Sequence, residues 1–503
     1  MIAACMIAPT LGLSGQTSFP TKSVETADTW RSGGWKAIES AKRVKNRTKK
    51  AKNVILFIGD GMGISTLTAA RIFEGQRRGE SGEENRLSFE EFPFSALSKT
   101  YSANQQTSDS APTMTAIIAG VKTDEGVISV NQNAQHANYK TVAGNETKTL
   151  LEYAEEAGRS TGIISTARLT HATPAACFAH SADRDWESDA DIFRSRKDAY
   201  EAKTKDIASQ LLDFSYGDGL EVALGGGRSK FLPKGTADPE YPNLTGERLD
   251  GRDLTKEWQS KYKNSNYVWN KQQFEAIDAK KTKHLFGLFE PSHMKFEHDR
   301  GKDPGGEPSL AELTSKGIDV LSQNKKGYFL MVEAGRIDHA HHNGNAYRAL
   351  VDTIALSDAV RAAMNKVNLE ETLIIVTADH SHTFFIQGYP SRGNNILGLV
   401  HEVDNDGLIE EKPKNDRDKK PFTTLGYANG LGARGADRPV LDEKTVIDPD
   451  YLQEANIPLV AETHAGEDVA IFAIGPNAHL IRGSMEQNWI FYVMADAMRL
   501  GRK

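Results

Sequence analysis

Residues 53–63 read Asn-Val-Ile-Leu-Phe-Ile-Gly-Asp-Gly-Met-Gly. The run Val54–Ile58 is apolar without interruption and is closed by glycines, the pattern of a strand buried on both faces. The same pattern recurs at Gly162–Ser165, Val222–Leu224, Tyr328–Val332, Leu373–Val376 and Val469–Ala473. Between these runs lie the helical stretches Ser65–Phe73, Thr113–Ala119, Leu150–Glu156, Ala346–Met364 and Ile490–Met498. Strands alternating with helices predict an α/β fold, with a mostly parallel central sheet flanked by helices on both faces.

In an open α/β sheet, ligands bind outside the carboxyl ends of the strands. Val54–Ile58 leads into Asp60, and Gly162–Ser165 into His171-Ala172-Thr173. Tyr328–Val332 leads into Glu333 and then Gly335-Arg336-Ile337-Asp338-His339-Ala340-His341-His342. Leu373–Val376 leads into Asp379-His380-Ser381-His382, and Glu462-Thr463-His464 comes shortly before Val469. Imidazoles and carboxylates collected at one sheet edge outline a metal centre. A lone histidine in such a place is more often a core-edge residue, but four strand ends bearing such groups argue otherwise. Asp338 and His342 are four apart and share a helix face, so they can grip one ion. His341 competes with His342 on spacing alone.

Thr107-Ser-Asp-Ser-Ala-Pro-Thr113 opens a helix that Gly120 closes. Ser110 is expected at its N-cap, where the dipole favours phosphate or an alkoxide. The plain alternative is a capping serine. Arg184 carries a fork suited to two phosphate oxygens, and its plain alternative is an ion pair with Asp183 or Asp185.

The chain has 503 residues, 39% hydrophobic, with a formal net charge of -7. No apolar run reaches the ~20 residues of a membrane helix. The acidic balance gives no reason for nucleic-acid-specific binding, and the cluster Lys42 to Lys50 reads as a solvated face. Two cysteines, Cys5 and Cys177, exclude a disulfide framework. Ile2-Ala3-Ala4-Cys5 is similar to the tail of a lipoprotein signal, which would lipidate Cys5; a trimmed signal remnant is the other reading. Both imply export, to a periplasmic or extracellular location. Residues 1–50 are read as signal remnant and arm, and 51–495 as one α/β domain. Its insertions, at about 230–310 and 385–460, are expected to form a crown-like region.

The stretches Asn53–Gly63, Thr107–Ala116, Gly225–Arg228, Gly287–Pro291, Glu333–His342, Thr377–His382 and Glu462–Asp468 together resemble the alkaline phosphatases. The resemblance runs from about 50 to about 495. It implies hydrolysis of phosphate monoesters through a phosphoserine on Ser110, with Arg184 clamping the phosphate. It implies one zinc on Asp338, His342 and His464, and a second on Asp60, Asp379 and His380. A third ion, normally magnesium, would sit on Asp60, Thr173 and Glu333, with Asp109, His171 and His339 around these groups. His171 and His339 replace the Asp and Lys of the enteric bacterial form, as in animal and marine-bacterial members, so zinc is expected to compete for the third site. Glu240, Phe289, Glu290 and Glu307 resemble a calcium site of the animal enzymes, with Glu307 in place of an Asp. A homodimer inhibited by its product, inorganic phosphate, is implied as well.

A phosphodiesterase, sulfatase or cofactor-independent mutase would use a related metal arrangement. Diesterases more often carry threonine at the nucleophile, and Ser110-Ala111-Pro112-Thr113-Met114 lacks the arginine of a sulfatase context. A non-catalytic phosphate- or metal-binding protein is the reading from another class, and the full set of presumed ligands and nucleophile argues against it.

Overall fold

The computed structural model describes residues 25–435 and 438–501. Cys5 lies outside them. The quoted stretch forms strand β1, Asn53–Gly59, with every residue after Asn53 buried. Seven further strands follow: β2 Phe94–Lys99, β3 Ser160–Arg168, β4 Val222–Gly226, β5 Ser265–Val268, β6 His284–Leu288, β7 Tyr328–Ala334 and β8 Thr372–Ala378. With Val469–Ile474 and Ser484–Glu486 they make a ten-stranded sheet. β1 lies at its centre between β7 and β8, parallel to both, with Ile55 opposite Leu330 and Ile374. Val469–Ile474 alone runs antiparallel to its neighbours, β8 and β2.

Alternate residues of β1 feed two cores. Val54, Leu56 and Ile58 join the helices Ser110–Ala119, Leu150–Glu156 and Trp489–Met498 on one face. Ile55 and Phe57 join the helices Ile64–Gln76, Leu310–Leu321 and Ala346–Lys366 on the other. Each such side chain, fully withdrawn from water, contributes roughly 1.5–3 kcal/mol. That burial holds the strand ends rigid enough to carry a site.

All six strands read from the sequence form, each extended by one to several residues. β2, β5 and β6 add to them. β5 and β6 lie in the 230–310 region read as an insertion, yet they extend the sheet from β4. In the 385–460 region, Leu425–Gly430 pairs with Phe384–Ile386 on one side and Ala455–Pro458 on the other, in a small separate sheet. The N-terminal helix Ala27–Arg43 buries none of its residues, and Trp30 and Trp35 are exposed. Among the described residues no helix is long and apolar enough to cross a membrane.

Candidate metal and phosphate site

Asp60 follows β1, Glu333 is the penultimate residue of β7, and Asp379 with His380 follows β8, so three neighbouring central strands deliver four groups to one edge. The helix Arg336–His342 adds Asp338 and His342. His464 arrives because His464–Ala465 pairs antiparallel with Ser381–His382. Gly61, at φ +68°, passes so close to His382 that a Cβ would stand 2.4 Å from its ring.

The first group converges on one oxygen. His342 Nε2 and His464 Nε2 are 3.1 Å apart, and each is 3.3 Å from Asp338 Oδ1. Their Nδ1 atoms donate to main-chain carbonyls, His342 to Glu462 at 2.6 Å and His464 to Ser108 at 2.8 Å. Both Nε2 lone pairs are thereby turned inward, the tautomer a metal requires. Burial pushes Asp338 up, but His342, His382 and His464 together outweigh it and hold the carboxyl well below its usual range.

The second group adjoins the first, with the His380 ring stacked on His464 at 3.6 Å. His380 Nε2 stands 3.3 Å from Asp60 Oδ1, 3.4 Å from Asp379 Oδ2 and 3.0 Å from Ser110 Oγ. Ser110 Oγ also lies 3.4 Å from Asp60 Oδ1. The serine is the first residue of its helix, and Asp109 is the cap, accepting from the Ala111 amide at 3.3 Å. This corrects the N-cap expectation for Ser110. Asp109 makes the capping bond, and the Ser110 hydroxyl faces the histidine instead.

In the third group, Asp60 Oδ2, Glu333 Oε1, Thr173 Oγ1 and His171 Nδ1 are buried and have no hydrogen-bond partner. Ligand atoms of Asp60, His171 and Glu333 all lie within 4.8 Å of one another. Orphaned polar atoms cost about 1–3 kcal/mol each, so four gathered in one place fit an ion. Burial, then repulsion from Asp379, pushes Asp60 upward, burial and repulsion from Asp338 push Asp379 upward, and burial pushes Glu333 up to about 7 against its bond from Ser165. A cation would remove that penalty.

Arg184 points into the site rather than pairing with Asp183 or Asp185. Its Nη1 donates to Asp109 Oδ2 at 2.7 Å and its Nη2 meets His171 Nε2 at 3.2 Å. His339 is held by Arg336 at 3.1 Å, and burial followed by that guanidinium lowers it to about 3. Burial, then Arg184 and His339, lowers His171 too. His341 is settled as structural, because its nitrogens meet Thr66 Oγ1 at 3.0 Å and the Tyr427 hydroxyl at 2.8 Å.

Four residues were given no part in the sequence reading: His382, Glu462, His293 and Asp303. His382 joins the first group, 2.9 Å from Asp338 Oδ1, and Glu462 stands behind it. The available signal was spacing, since each lies two residues from a named ligand along extended chain. His293 packs on His339 at 4.0 Å and accepts from the Arg168 amide at 3.2 Å. In the 230–310 region, Glu240 and Glu290 gather with Asp303. Asp303 was not named for the calcium site, while Glu307 accepts from the Lys295 amide at 2.8 Å and the Phe289 ring packs on Phe274.

A family model described as alkaline phosphatase matches residues 51–500. The chain is 43% identical over 481 residues to an alkaline phosphatase of Gadus morhua, covering 94% of this chain and 97% of that one. It is equally 43% identical over 481 residues to the tissue-nonspecific isozyme of Homo sapiens, covering 94% and 88%. Among solved structures, Thermus thermophilus alkaline phosphatase superposes with a TM-score of 0.63 at 22% identity, covering 92% of this chain and 94% of that one. The alkaline phosphatase of the Antarctic bacterium TAB5 gives 0.60 at 21%, covering 91% and 100%. At these identities the two structures speak for the fold.

Proposed function

Because this chain belongs to the alkaline phosphatase family and is thereby a phosphoric monoester hydrolase, we propose that it transfers the phosphoryl group of its substrate to Ser110. The observation that carries this is Ser110 Oγ lying 3.0 Å from His380 Nε2, where the three ligand groups meet. Nitrogen-and-carboxylate sets suit zinc, on Asp338, His342 and His464 and on Asp60, Asp379 and His380; the oxygen-rich third set, Asp60, Thr173 and Glu333, suits magnesium. When bound, these ions supply Lewis acidity that activates the serine hydroxyl and water and neutralises charge on the phosphate and leaving oxygen.

The chain's own residues do the positioning. Helix Ser110–Ala119 presents Ser110 and its dipole to the phosphate. Asp109 anchors one end of Arg184, so the rest of the fork can take phosphate oxygens in place of His171. Ser110 forms an O–P bond as the ester P–O bond breaks, and the alcohol leaves with a proton. Water then cleaves the phosphoserine and releases inorganic phosphate. Recognition rests on the phosphate, so the leaving group matters little and specificity is broad.

We also read the exposed helix Ala27–Arg43 as the arm of a homodimer, inorganic phosphate as a product inhibitor, and the protein as exported. His171, with its free Nδ1, would let zinc compete for the third site. Glu240, Glu290 and Asp303 would take calcium, with the Phe289 carbonyl.

Ser110→Ala tests the nucleophile. Its turnover of an aryl phosphate is expected to fall by several orders of magnitude, with no acid-stable phosphoprotein trapped from labelled substrate. Near-normal turnover would reduce Ser110 to a helix residue.

A further inference from the structure

Glu462 lies two residues before His464, in the segment that follows Ala455–Pro458, and is 1% exposed. Its Oε1 accepts from the Thr383 amide at 2.6 Å and the Thr383 hydroxyl at 2.7 Å. Its Oε2 accepts from His382 Nδ1 at 2.5 Å. His382 reaches onward through Nε2 to Asp338 Oδ1 at 2.9 Å. The main chain of Glu462 grips a second histidine from both ends. Its carbonyl accepts from His342 Nδ1 at 2.6 Å, and its amide donates to the His342 carbonyl at 3.0 Å.

We propose that Glu462 is the positioning residue of the first metal group, setting Asp338 through His382 with its carboxylate and His342 with its main chain, so that zinc affinity there depends on it. This rests on the reading of that group as a metal site. His382 has a ligand-capable nitrogen within the group, but carboxylates occupy both of its ring nitrogens. It is a strut that orients Asp338 Oδ1, the oxygen on which His342 and His464 converge. The strut needs an acceptor-only group behind it. A carboxylate offers two acceptor oxygens and serves His382 and Thr383 together, whereas an amide must turn its NH2 on one of them. Outer partners of metal ligands fix both ring tautomer and ligand direction.

The test is zinc content of the full-length protein across chelator-buffered free zinc, comparing parent with Glu462→Gln. The variant is expected to lose one zinc per chain at free-zinc levels roughly 10–100-fold above those at which the parent loses it. Its other ions should be retained, the melting temperature of the metal-free protein should be unchanged, and the visible spectrum of the cobalt-loaded form should be altered. Thr383→Val, which removes only the hydroxyl donor, should stay close to the parent. If Glu462→Gln does not fold, His382→Gln reads the same link from its other end. Equal zinc affinity in parent and variant overturns the proposal. So does uniform weakening of every ion together with a lower metal-free melting temperature, the mark of a general structural role. A parent that takes up no zinc overturns the metal reading itself, and this inference with it.

Discussion

At the carboxyl ends of the strands, Asp60, Glu333, Asp379 and Asp338 are buried together; at the amino ends, Glu155 and Glu221 are buried together as well. Burial drives acids upward at both ends. The partners differ. Glu221 accepts from Ser160 Oγ at 2.7 Å and the Thr161 amide at 2.6 Å, and Glu155 accepts from Thr161 Oγ1 at 2.5 Å. The other Glu155 oxygen has no hydrogen-bond partner, but it is a single atom, packed against Gly217, with no imidazole or second orphaned oxygen of Glu221 beside it. The carboxyl end leaves four polar atoms orphaned and turns imidazole lone pairs inward. A buried acid cluster alone therefore does not announce a cation. Several unanswered ligand atoms facing a common point do, and the amino-end pair is better served by protons of its own.

Removing divalent ions should break this comparison most sharply. Chelation is expected to abolish activity and to lower the melting temperature, because each site loses about 2.7 kcal/mol of linkage at ligand a hundredfold above its Kd. Zinc with magnesium should restore both. Full activity in protein shown by elemental analysis to be metal-free would put both ends of the sheet on the same footing.

Arg184→Ala comes next in size. Losing a charge-assisted clamp should cost ~2–3 kcal/mol, or about 30–150-fold in phosphate inhibition. An unchanged inhibition constant would return Arg184 to a structural pairing with Asp109.

The legible parts of this molecule were those where one residue type can do only one thing. β1, β7 and β8 read clearly because strands buried on both faces are apolar throughout. β2, Phe-Ser-Ala-Leu-Ser-Lys, did not, because it is only partly buried and breaks the apolar pattern, with Leu97 exposed and Ser98 buried. The groups that gather at the carboxyl edge, Asp60, Glu333, Asp338, His342, Asp379, His380 and His464, were legible from strand ends and motif. The parts of His382 and Glu462 were not, because their contacts with each other and with Asp338 exist only once the Ser381–His382 and His464–Ala465 segments pair. Asp303 had no signal at all. It reaches Glu240 and Glu290 by the folding of a long aperiodic loop.

His171→Asp sharpens the oxygen-rich third group. An imidazole is a poorer partner for magnesium than a carboxylate. Activation should then saturate at a magnesium concentration roughly 10-fold lower, read by magnesium titration of the apo protein. The companion change His339→Lys would set an ammonium beside Arg336, which stands 3.1 Å from His339 Nδ1, so the single change is the cleaner test. Magnesium binding no tighter than the parent's would remove His171 from the third group.

Glu155→Gln probes the other end and should have the smallest effect. Burial, then repulsion from Glu221, raises Glu155 to about 9; burial raises Glu221 to about 8 against its bonds from Ser160 and Thr161. In the unfolded chain a glutamate loses its proton near ~4.3. The folded state therefore holds protons that the unfolded state has released. Stability from this pair is fully present below about pH 4, declines as pH rises, and is lost once pH passes about 8–9. An alkaline working range lies where that loss is nearly complete. Glutamine stays neutral and keeps an acceptor for Thr161, so Glu155→Gln should melt close to the parent near pH 5 and roughly 2–4 °C above it near pH 9. Thermal melts across that range decide it. A difference that does not grow with pH, or a variant less stable at pH 9, would mean the amino-end pair does not hold its protons in the folded state, and that its likeness to the carboxyl end runs deeper than its hydroxyl partners suggest.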